Sequence, residues 1–247
     1  MGAAIEFHEV SYETAGGRWL LDRVELALEE RSVTAILGRS GAGKTTLLRT
    51  VNRMVEPTAG EVRVRGTPVA EGDVIALRRS MGYVIQETGL FPHFTVERNV
   101  GLVLEAEGRP RAEREKRCRE LLTAVGLEPE EFRRRSPHQL SGGQRQRVGL
   151  ARALAAEPDI LLMDEPFGAL DPLTRTEMQD MLLGLLERLR VTVLLVTHDL
   201  DEALTLSDRI VLMDGGRVTA DLAAEEFERS AQAEVAAYRR AFHRGKR

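Results

Sequence analysis

The feature that most constrains this chain is a glycine-rich loop between a predicted strand and a predicted helix. Ser32–Leu37 is a short apolar run typical of a strand, and Thr45–Met54 has apolar residues at helical spacing. Between them, Gly38–Thr45 matches the spacing G-x-x-x-x-G-K-[ST]. Glycines let the backbone curl so that successive N–H groups face phosphate oxygens, and the start of the helix adds unpaired donors. The loop therefore predicts a nucleotide phosphate site.

Two side chains of the loop have distinct predicted roles. Lys44 supplies a point charge for the outer phosphates. Thr45 supplies a hydroxyl for Mg²⁺, which takes oxygen ligands and needs few of them from protein. The cofactors predicted here are ATP and Mg²⁺. The predicted ATP contacts in this segment are Gly38, Arg39, Ser40, Gly41, Ala42, Gly43, Lys44, Thr45 and Thr46.

A pair of carboxylates follows a second apolar run, Ile160–Met163. Such a run suits a strand buried on both faces of a parallel sheet, and ligands of open parallel sheets bind at the carboxyl edge. We predict that Asp164 holds Mg²⁺ and that Glu165 polarises a water for attack on a γ-phosphate. Side-chain alternation along an extended chain would put the two carboxylates on opposite sides. Alone, the pair equally fits an ordinary strand exit; the phosphate loop favours the functional interpretation.

The order of elements predicts an α/β fold with an N-terminal antiparallel β part and an inserted helical subdomain. Strands and turns dominate the first part, helices the middle, and strands alternate with helices afterwards, which favours a parallel sheet covered on both faces. We predict a nucleotide-binding core formed by 1–88 and 157–220. Residues 89–156 form the predicted helical subdomain, and 221–247 a short helical tail.

Composition excludes several classes of function. The net charge of −4 and the aromatic content of 4% give no reason to expect a nucleic-acid partner. The arginine clusters at 133–135 and 239–247 are interpreted as solvated faces. Cys118 is the single cysteine, so no internal disulfide or thiolate metal site is expected, which fits a reducing cytosol. No secretory signal and no run of ~18 apolar residues is present, so another chain would provide any path across a membrane.

The segment Leu140–Gln144 reads Leu-Ser-Gly-Gly-Gln and resembles the signature motif of ABC ATPases. Ser141 is a good N-cap residue, and the two glycines expose backbone donors at the start of the next predicted helix. This is a second anion site, far along the chain from the phosphate loop. The resemblance covers roughly residues 4–220. The signature residues that it assigns to ATP are Ser141, Gly142, Gly143 and Gln144.

The same resemblance assigns four further positions. Gln86 is similar to the Q-loop glutamine, which touches the metal and senses the membrane partner. Asp171 resembles the D-loop aspartate, although Gly168 stands where the family most often has serine. His198 resembles the switch histidine that contacts the γ-phosphate, and Tyr12 stands where the family stacks an aromatic ring on adenine.

Together these assignments define the expected site. Trp19 is a rival for the stacking role, but a core or hinge role is favoured. The catalytic set implied by the resemblance is Glu165, His198, Lys44 and Gln86. The metal set is Thr45, Gln86 and Asp164.

The resemblance also implies partners. Family members form head-to-tail dimers with two ATP molecules between them, so a second copy of this chain is expected. Separate ABC transmembrane permease subunits are expected too, with an external solute-binding protein acting indirectly. The expected location is cytoplasmic, peripheral on the cytoplasmic face of the cell membrane.

Three segments favour one branch of the family: Leu77–Val96, Val51–Pro57 and Met163–Pro172. They resemble the ATPases of bacterial importers for osmoprotectants such as glycine betaine, choline and carnitine. Polar amino-acid importers share some of these elements and remain an alternative, as does, less favoured, a soluble non-transport ABC ATPase. Many osmoprotectant ATPases carry a C-terminal regulatory extension, so that form of osmotic sensing is expected to be absent here or to be carried by another chain.

Overall fold

Ten strands, eleven α-helices and one 3₁₀ helix (Pro137–Gln139) are formed by the residues that the computed structural model describes, 2–86 and 88–245. The strands are β1 (Ala3–Glu13), β2 (Trp19–Glu29), β3 (Val33–Gly38), β4 (Ala59–Val64), β5 (Thr67–Pro68), β6 (Met81–Val84), β7 (Ile160–Asp164), β8 (Thr192–Thr197), β9 (Arg209–Asp214) and β10 (Arg217–Ala223). The helices are α1 (Lys44–Val51), α2 (Val74–Arg79), α3 (Val96–Val100), α4 (Leu102–Ala106), α5 (Arg111–Ala124), α6 (Pro129–Phe132), α7 (Gly142–Ala153), α8 (Pro172–Leu189), α9 (Leu200–Leu206), α10 (Ala224–Arg229) and α11 (Ala233–Gly245).

The chain divides into two compact units. The first contains the residues up to Arg78 and those from Thr192 onward, and the second is Arg79–Val191. The second unit is wider than the predicted helical subdomain because it also contains β6, β7 and α8. Met1, Glu87, Lys246 and Arg247, which fall within predicted segments, lie outside the described residues.

An antiparallel sheet of the first unit has the strand order β2-β1-β4-β5. Alternate residues of β2 are buried, including Val24, Leu26 and Leu28, as the period of two predicts for a half-buried strand. The antiparallel part expected near the N-terminus is confirmed. The strands β4 and β5 are separated by a turn at Arg65 and Gly66, both at positive φ.

Parallel strands form the centre of the first unit. β3 pairs in parallel with β8 on one side and β9 on the other, and β10 pairs antiparallel to β9. Every residue of β8 is buried, which agrees with its unbroken apolar and β-branched sequence. The predicted strand-and-helix alternation is confirmed here.

The second unit combines a parallel pair of strands, β6 and β7, with a group of helices. Helix α7 packs against β6, α3 and α5. The buried side of the charged helix α5 consists of Cys118, Leu121 and Leu122. Burial raises the pKa of the Cys118 thiol to about 12, so this cysteine is not a nucleophile near neutral pH.

A buried amide holds residues 91–95, the end of the loop before α3. Asn99 accepts a hydrogen bond from the backbone N–H of Phe91 at 2.7 Å, and its Nδ2 donates to the carbonyls of Phe91, Phe94 and Thr95. A fully buried asparagine with both ends bonded fixes a loop that has no regular structure of its own.

The C-terminal part differs in detail from the predicted helical tail. Residues 221–223 belong to β10, and the remainder is two helices, α10 and α11. Ser230 is extended between them, and its hydroxyl accepts from the N–H of Gln232. Among the described residues, no helix is both long enough and apolar enough to cross a bilayer.

Candidate active site

The phosphate loop lies in the first unit, between the end of β3 and the start of α1. Lys44 is only 5% exposed, and its ammonium donates to the carbonyls of Gly38 at 2.9 Å and Arg39 at 3.1 Å. These bonds hold a positive charge inside the curl of the loop, where burial is unfavourable without polar partners. A ligand of complementary charge for this loop is an anion.

The start of β2 supports the loop from one side. Gly43 has a φ of 96°, and a Cβ there would lie 2.2 Å from the carbonyl oxygen of Leu20, so only glycine allows this approach. Arg18, two residues before Leu20, places a guanidinium nitrogen 3.6 Å from where a Cβ on Gly41 would stand. A glycine cradle with two adjacent cations fits a polyphosphate.

Sequence reasoning missed Arg18. In the sequence it is a lone arginine in a hairpin turn, a type of residue that is usually solvated. Its backbone explains its position: the carbonyl of Arg18 accepts from the N–H of Thr14 at 2.9 Å, and its N–H donates to the hydroxyl of Thr14 at 3.2 Å. This closed turn directs the arginine toward the phosphate loop.

The aromatic candidates for adenine lie on the hairpin of β1 and β2. Tyr12 is half-buried and pairs with Leu21, whereas Trp19 pairs with Glu13 at the start of β2. Of the core or hinge role favoured for Trp19, the core role is wrong, because its side chain stands at the end of the hairpin and is 51% exposed. The hinge role stays a prediction.

His198 follows β8 and is exposed, with both of its chain neighbours held firmly. The hydroxyl of Thr197 donates to the buried carboxylate of Glu202 at 2.6 Å. Asp199 caps α9 by accepting from the N–H groups of Asp201 and Glu202. The phenol of Tyr238, in α11, donates to the carbonyl of His198 at 3.0 Å.

The acidic pair lies in the second unit, at the end of β7. Asp164 is 4% exposed, and the phenol of Tyr83 lies 3.5 Å from its Oδ2. Glu165 is half-buried, and the amide nitrogen of Gln86 lies 3.5 Å from its Oε2. The structure therefore brings Gln86 and Glu165 together, as expected of two residues of one site.

The alternation argument used for Glu165 is wrong. Its φ is 46°, in the left-handed region that non-glycine residues seldom adopt. The chain is no longer extended at this residue, so strand periodicity does not determine where its carboxylate points. Such backbone conformations are strained and persist only where the surrounding structure holds them, and they cluster at functional sites.

The signature segment begins α7 with a reciprocal cap. The hydroxyl of Ser141 accepts from the N–H of Gln144 at 3.2 Å, and the side chain of Gln144 accepts from the N–H of Ser141 at 2.9 Å. The predicted N-cap is confirmed, and the helix begins at Gly142.

The two signature glycines have different surroundings. A Cβ on Gly143 would lie 2.5 Å from Cγ2 of Thr174 in α8, whereas one on Gly142 would have no atom within 4 Å. Packing within the unit therefore explains Gly143. It does not explain Gly142, which faces open space.

Asp171 caps α8. Its Oδ1 accepts from the N–H of Thr174 at 3.1 Å, and hydrogen bonds from Thr174 hold the pKa of the carboxyl below its ordinary value. A Cβ on nearby Gly168 would come no closer than 3.7 Å to Glu165, so the serine usual in the family would fit there.

A family model described as ABC transporter matches residues 21–168, more than half of the chain. The matched range contains both the glycine loop and the capped Leu-Ser-Gly-Gly-Gln segment. The chain belongs to the ABC transporter family. This confirms the predicted family and fold class.

Relatives of this ABC chain are named for osmoprotectants. It is 44% identical over 214 residues to the glycine betaine/carnitine/choline transport ATP-binding protein of Bacillus subtilis, covering 87% of this chain and 56% of that protein. It is 48% identical over 214 residues to the glycine betaine uptake system ATP-binding protein of Escherichia coli, covering 87% and 69%. The ABC chain thus spans little more than half the length of the Bacillus protein. The predicted resemblance to this branch is confirmed.

A solved structure shares the fold of this ABC chain. It is a dimeric ATP-binding cassette in a post-hydrolysis state, bound to ADP and Pi. The TM-score is 0.81 at 35% identity, and the match covers 89% of this chain and 98% of that one.

The contrast between the two signature glycines predicts opposite effects on stability. Gly143→Ala should lower the free energy of unfolding by about 1–3 kcal/mol, because the β-branched Thr174 cannot readily turn its Cγ2 away. Gly142→Ala should raise it by about 0.5–1 kcal/mol, since alanine favours a helix. Urea unfolding of the two variants measures both effects.

Thr174→Ser serves as the matched partner variant, because it removes Cγ2 and keeps the backbone N–H that donates to the capping carboxylate of Asp171. Combined with Gly143→Ala, it should recover most of the lost stability. If the double variant unfolds as early as Gly143→Ala alone, crowding by Thr174 is not the cause.

Proposed function

We propose that this chain binds and hydrolyses ATP and is the nucleotide-binding subunit of an ABC importer. The observation that carries the proposal is the buried Lys44 ammonium, held by carbonyls inside a glycine loop at the start of α1. The names of the relatives as ATP-binding transport proteins, and the ADP and Pi in the related cassette, support it.

The phosphates of ATP would be bound by the residues of 38–46. Backbone N–H groups of the loop would face the phosphate oxygens, and Lys44 would offset the charge of the outer phosphates. Arg18 supplies a second cation beside the loop. Tyr12 would stack on the adenine.

Mg²⁺ would be held by Thr45, Gln86 and Asp164, all of which present oxygen donors, the atoms that this ion prefers. It would supply charge neutralisation for the phosphates. Tyr83, beside Asp164, can orient that carboxylate with its hydroxyl.

In hydrolysis, the oxygen of a water joins the γ-phosphorus while the bond to the bridging oxygen of ADP breaks. Glu165 would orient this water and accept its proton. Gln86, whose Nε2 lies 3.5 Å from Oε2 of Glu165, can donate a hydrogen bond to the same carboxylate. His198 would hold the γ-phosphate by a hydrogen bond that strengthens as charge develops.

A second copy of this chain would complete each ATP site. Ser141, Gly142, Gly143 and Gln144 form a capped helix start with backbone donors, and Gly142 faces open space, so a phosphate could approach it closely. The related cassette is a dimer. ATP would then favour the closed head-to-tail dimer because it adds contacts that exist only in that state. In the same arrangement Asp171 would lie near the partner's nucleotide.

The transported solute would be a quaternary amine osmoprotectant, as the names of the relatives suggest. Separate permease subunits would provide the path, with an external binding protein acting on them. The chain would lie on the cytoplasmic face of the membrane, with no nucleic-acid partner. We assign 1–88 and 157–220 to the nucleotide-binding core, 89–156 to the helical subdomain that meets the permease, and 221–247 to the tail.

Two substitutions should separate binding from hydrolysis. Lys44→Ala should weaken ATP binding, because the loop loses its buried charge. Glu165→Gln should bind ATP normally and lower turnover by at least 100-fold, about 3 kcal/mol, because the carboxylate that activates water is gone. Nucleotide titration and phosphate release with Mg²⁺ measure the two effects; near-normal turnover by Glu165→Gln would contradict its role.

The Glu165→Gln variant should also form dimers in the presence of ATP, because it binds ATP but hydrolyses it very slowly. Adding Gly142→Asp should prevent them: aspartate is favourable at a helix start but would repel an approaching phosphate. Gly184→Asp, another helical position with no atom within 4 Å of an added Cβ, is the control and should leave dimers intact. Light scattering distinguishes the cases. Monomers of Glu165→Gln at saturating ATP would rule out the dimer for the isolated chain.

The choice of solute can be tested in the native organism. Deleting the gene should abolish high-salt uptake of labelled glycine betaine or choline, and a Glu165→Gln copy should fail to restore it. Uptake of a polar amino acid such as histidine should be unchanged. Loss of amino-acid uptake alone would favour the alternative importer class.

A further inference from the structure

The helix α11 reaches the loop that carries His198. The phenolic O–H of Tyr238 donates to the carbonyl oxygen of His198 at 3.0 Å. Tyr238 is half-buried, and the contact joins residues that are 40 positions apart in sequence. The last helix of the described chain is therefore bonded directly to the backbone of a proposed catalytic residue.

Two neighbours of Tyr238 attach α11 to the rest of the unit. Val235, one turn earlier, is fully buried, and the guanidinium of Arg239 donates to the carbonyl of Ser230 at 2.9 Å. The same helix borders a cavity of about 490 Å³ whose other walls include Met213 and the phosphate-loop residue Arg39. α11 thus flanks the phosphate loop as well as the His198 loop.

One peptide group is held at both of its polar ends. The N–H of Asp199 donates to the hydroxyl of Thr197 at 3.0 Å, and the carbonyl of His198, in the same planar group, accepts from Tyr238. Thr197 is itself bonded to buried Glu202. One end of this peptide group is anchored to the core and the other to α11, so the peptide plane cannot rotate freely. Rotation of that plane would turn the backbone that bears the imidazole of His198.

We propose that Tyr238 is a positioning residue for His198, and that α11 affects the rate of ATP hydrolysis through this single hydrogen bond. The proposal rests on the proposed function, since it requires His198 to act on the γ-phosphate. The bond from Tyr238 goes to the backbone of His198, so its effect falls on the chemical step. Loss of this bond would slow turnover without displacing ATP.

The test is Tyr238→Phe, which removes the hydroxyl and keeps the ring. It should lower kcat about fivefold, the usual effect of one net hydrogen bond, and leave KM for ATP within about twofold. Arg239→Gln is the matched control. It breaks a bond that secures α11 one residue away but does not touch His198, so it should lower the melting temperature and leave kcat unchanged.

A second readout needs no turnover. In ¹H–¹³C spectra, the imidazole resonance of His198, assigned with His198→Gln, should shift in Tyr238→Phe and not in Arg239→Gln. The resonances of His8, His93 and His138 should stay unmoved in both variants.

An unshifted His198 resonance, an unchanged kcat in Tyr238→Phe, or equal losses of kcat in the two variants would each overturn the proposal. Absence of ATPase activity in the unmodified chain would instead contradict the proposed function. In that case the spectra would still decide whether Tyr238 orients His198.

Discussion

The contact on which the phosphate loop depends is the one between the Lys44 ammonium and the carbonyls of Gly38 and Arg39. A buried cation needs hydrogen-bond acceptors, and here the carbonyls of the loop's own backbone supply them. β3 ends at Gly38 and α1 begins at Lys44, so the bond to Gly38 also joins the last residue of the strand to the first of the helix. Gly43 allows this conformation of the loop, because the carbonyl oxygen of Leu20 lies where a Cβ would stand.

Three of the predicted ATP-binding segments lie at the N-termini of helices. α1 begins at the phosphate loop, α7 with the reciprocal cap of Ser141 and Gln144, and α8 with Asp171. The caps of α7 and α8 satisfy some of the first N–H groups of their helices and leave others available, and α1 has no side-chain cap at all. Available N–H groups at a helix start suit an anion. Asp171 has a structural role in its own chain as the cap of α8, apart from its proposed position near the partner's nucleotide.

The His198 loop illustrates how a proposed catalytic group is held without being buried. Its imidazole is exposed, while hydrogen bonds involving Thr197, Asp199 and Tyr238 restrain the backbone on both sides of it. Rigid support around an exposed side chain keeps its orientation while leaving it accessible to a ligand.

Sequence alone determined the family, the α/β class, the phosphate loop and the signature cap, because each depends on residues adjacent in the chain. Glycine spacing, an N-cap serine and apolar periodicity act over a few positions, so they can be read locally. Only the tertiary structure showed that Arg18 reaches the phosphate loop, that Glu165 leaves the extended conformation, and that Tyr238 bonds to His198. Those features depend on which distant segments meet, and that is decided by packing of the whole unit rather than by local propensity.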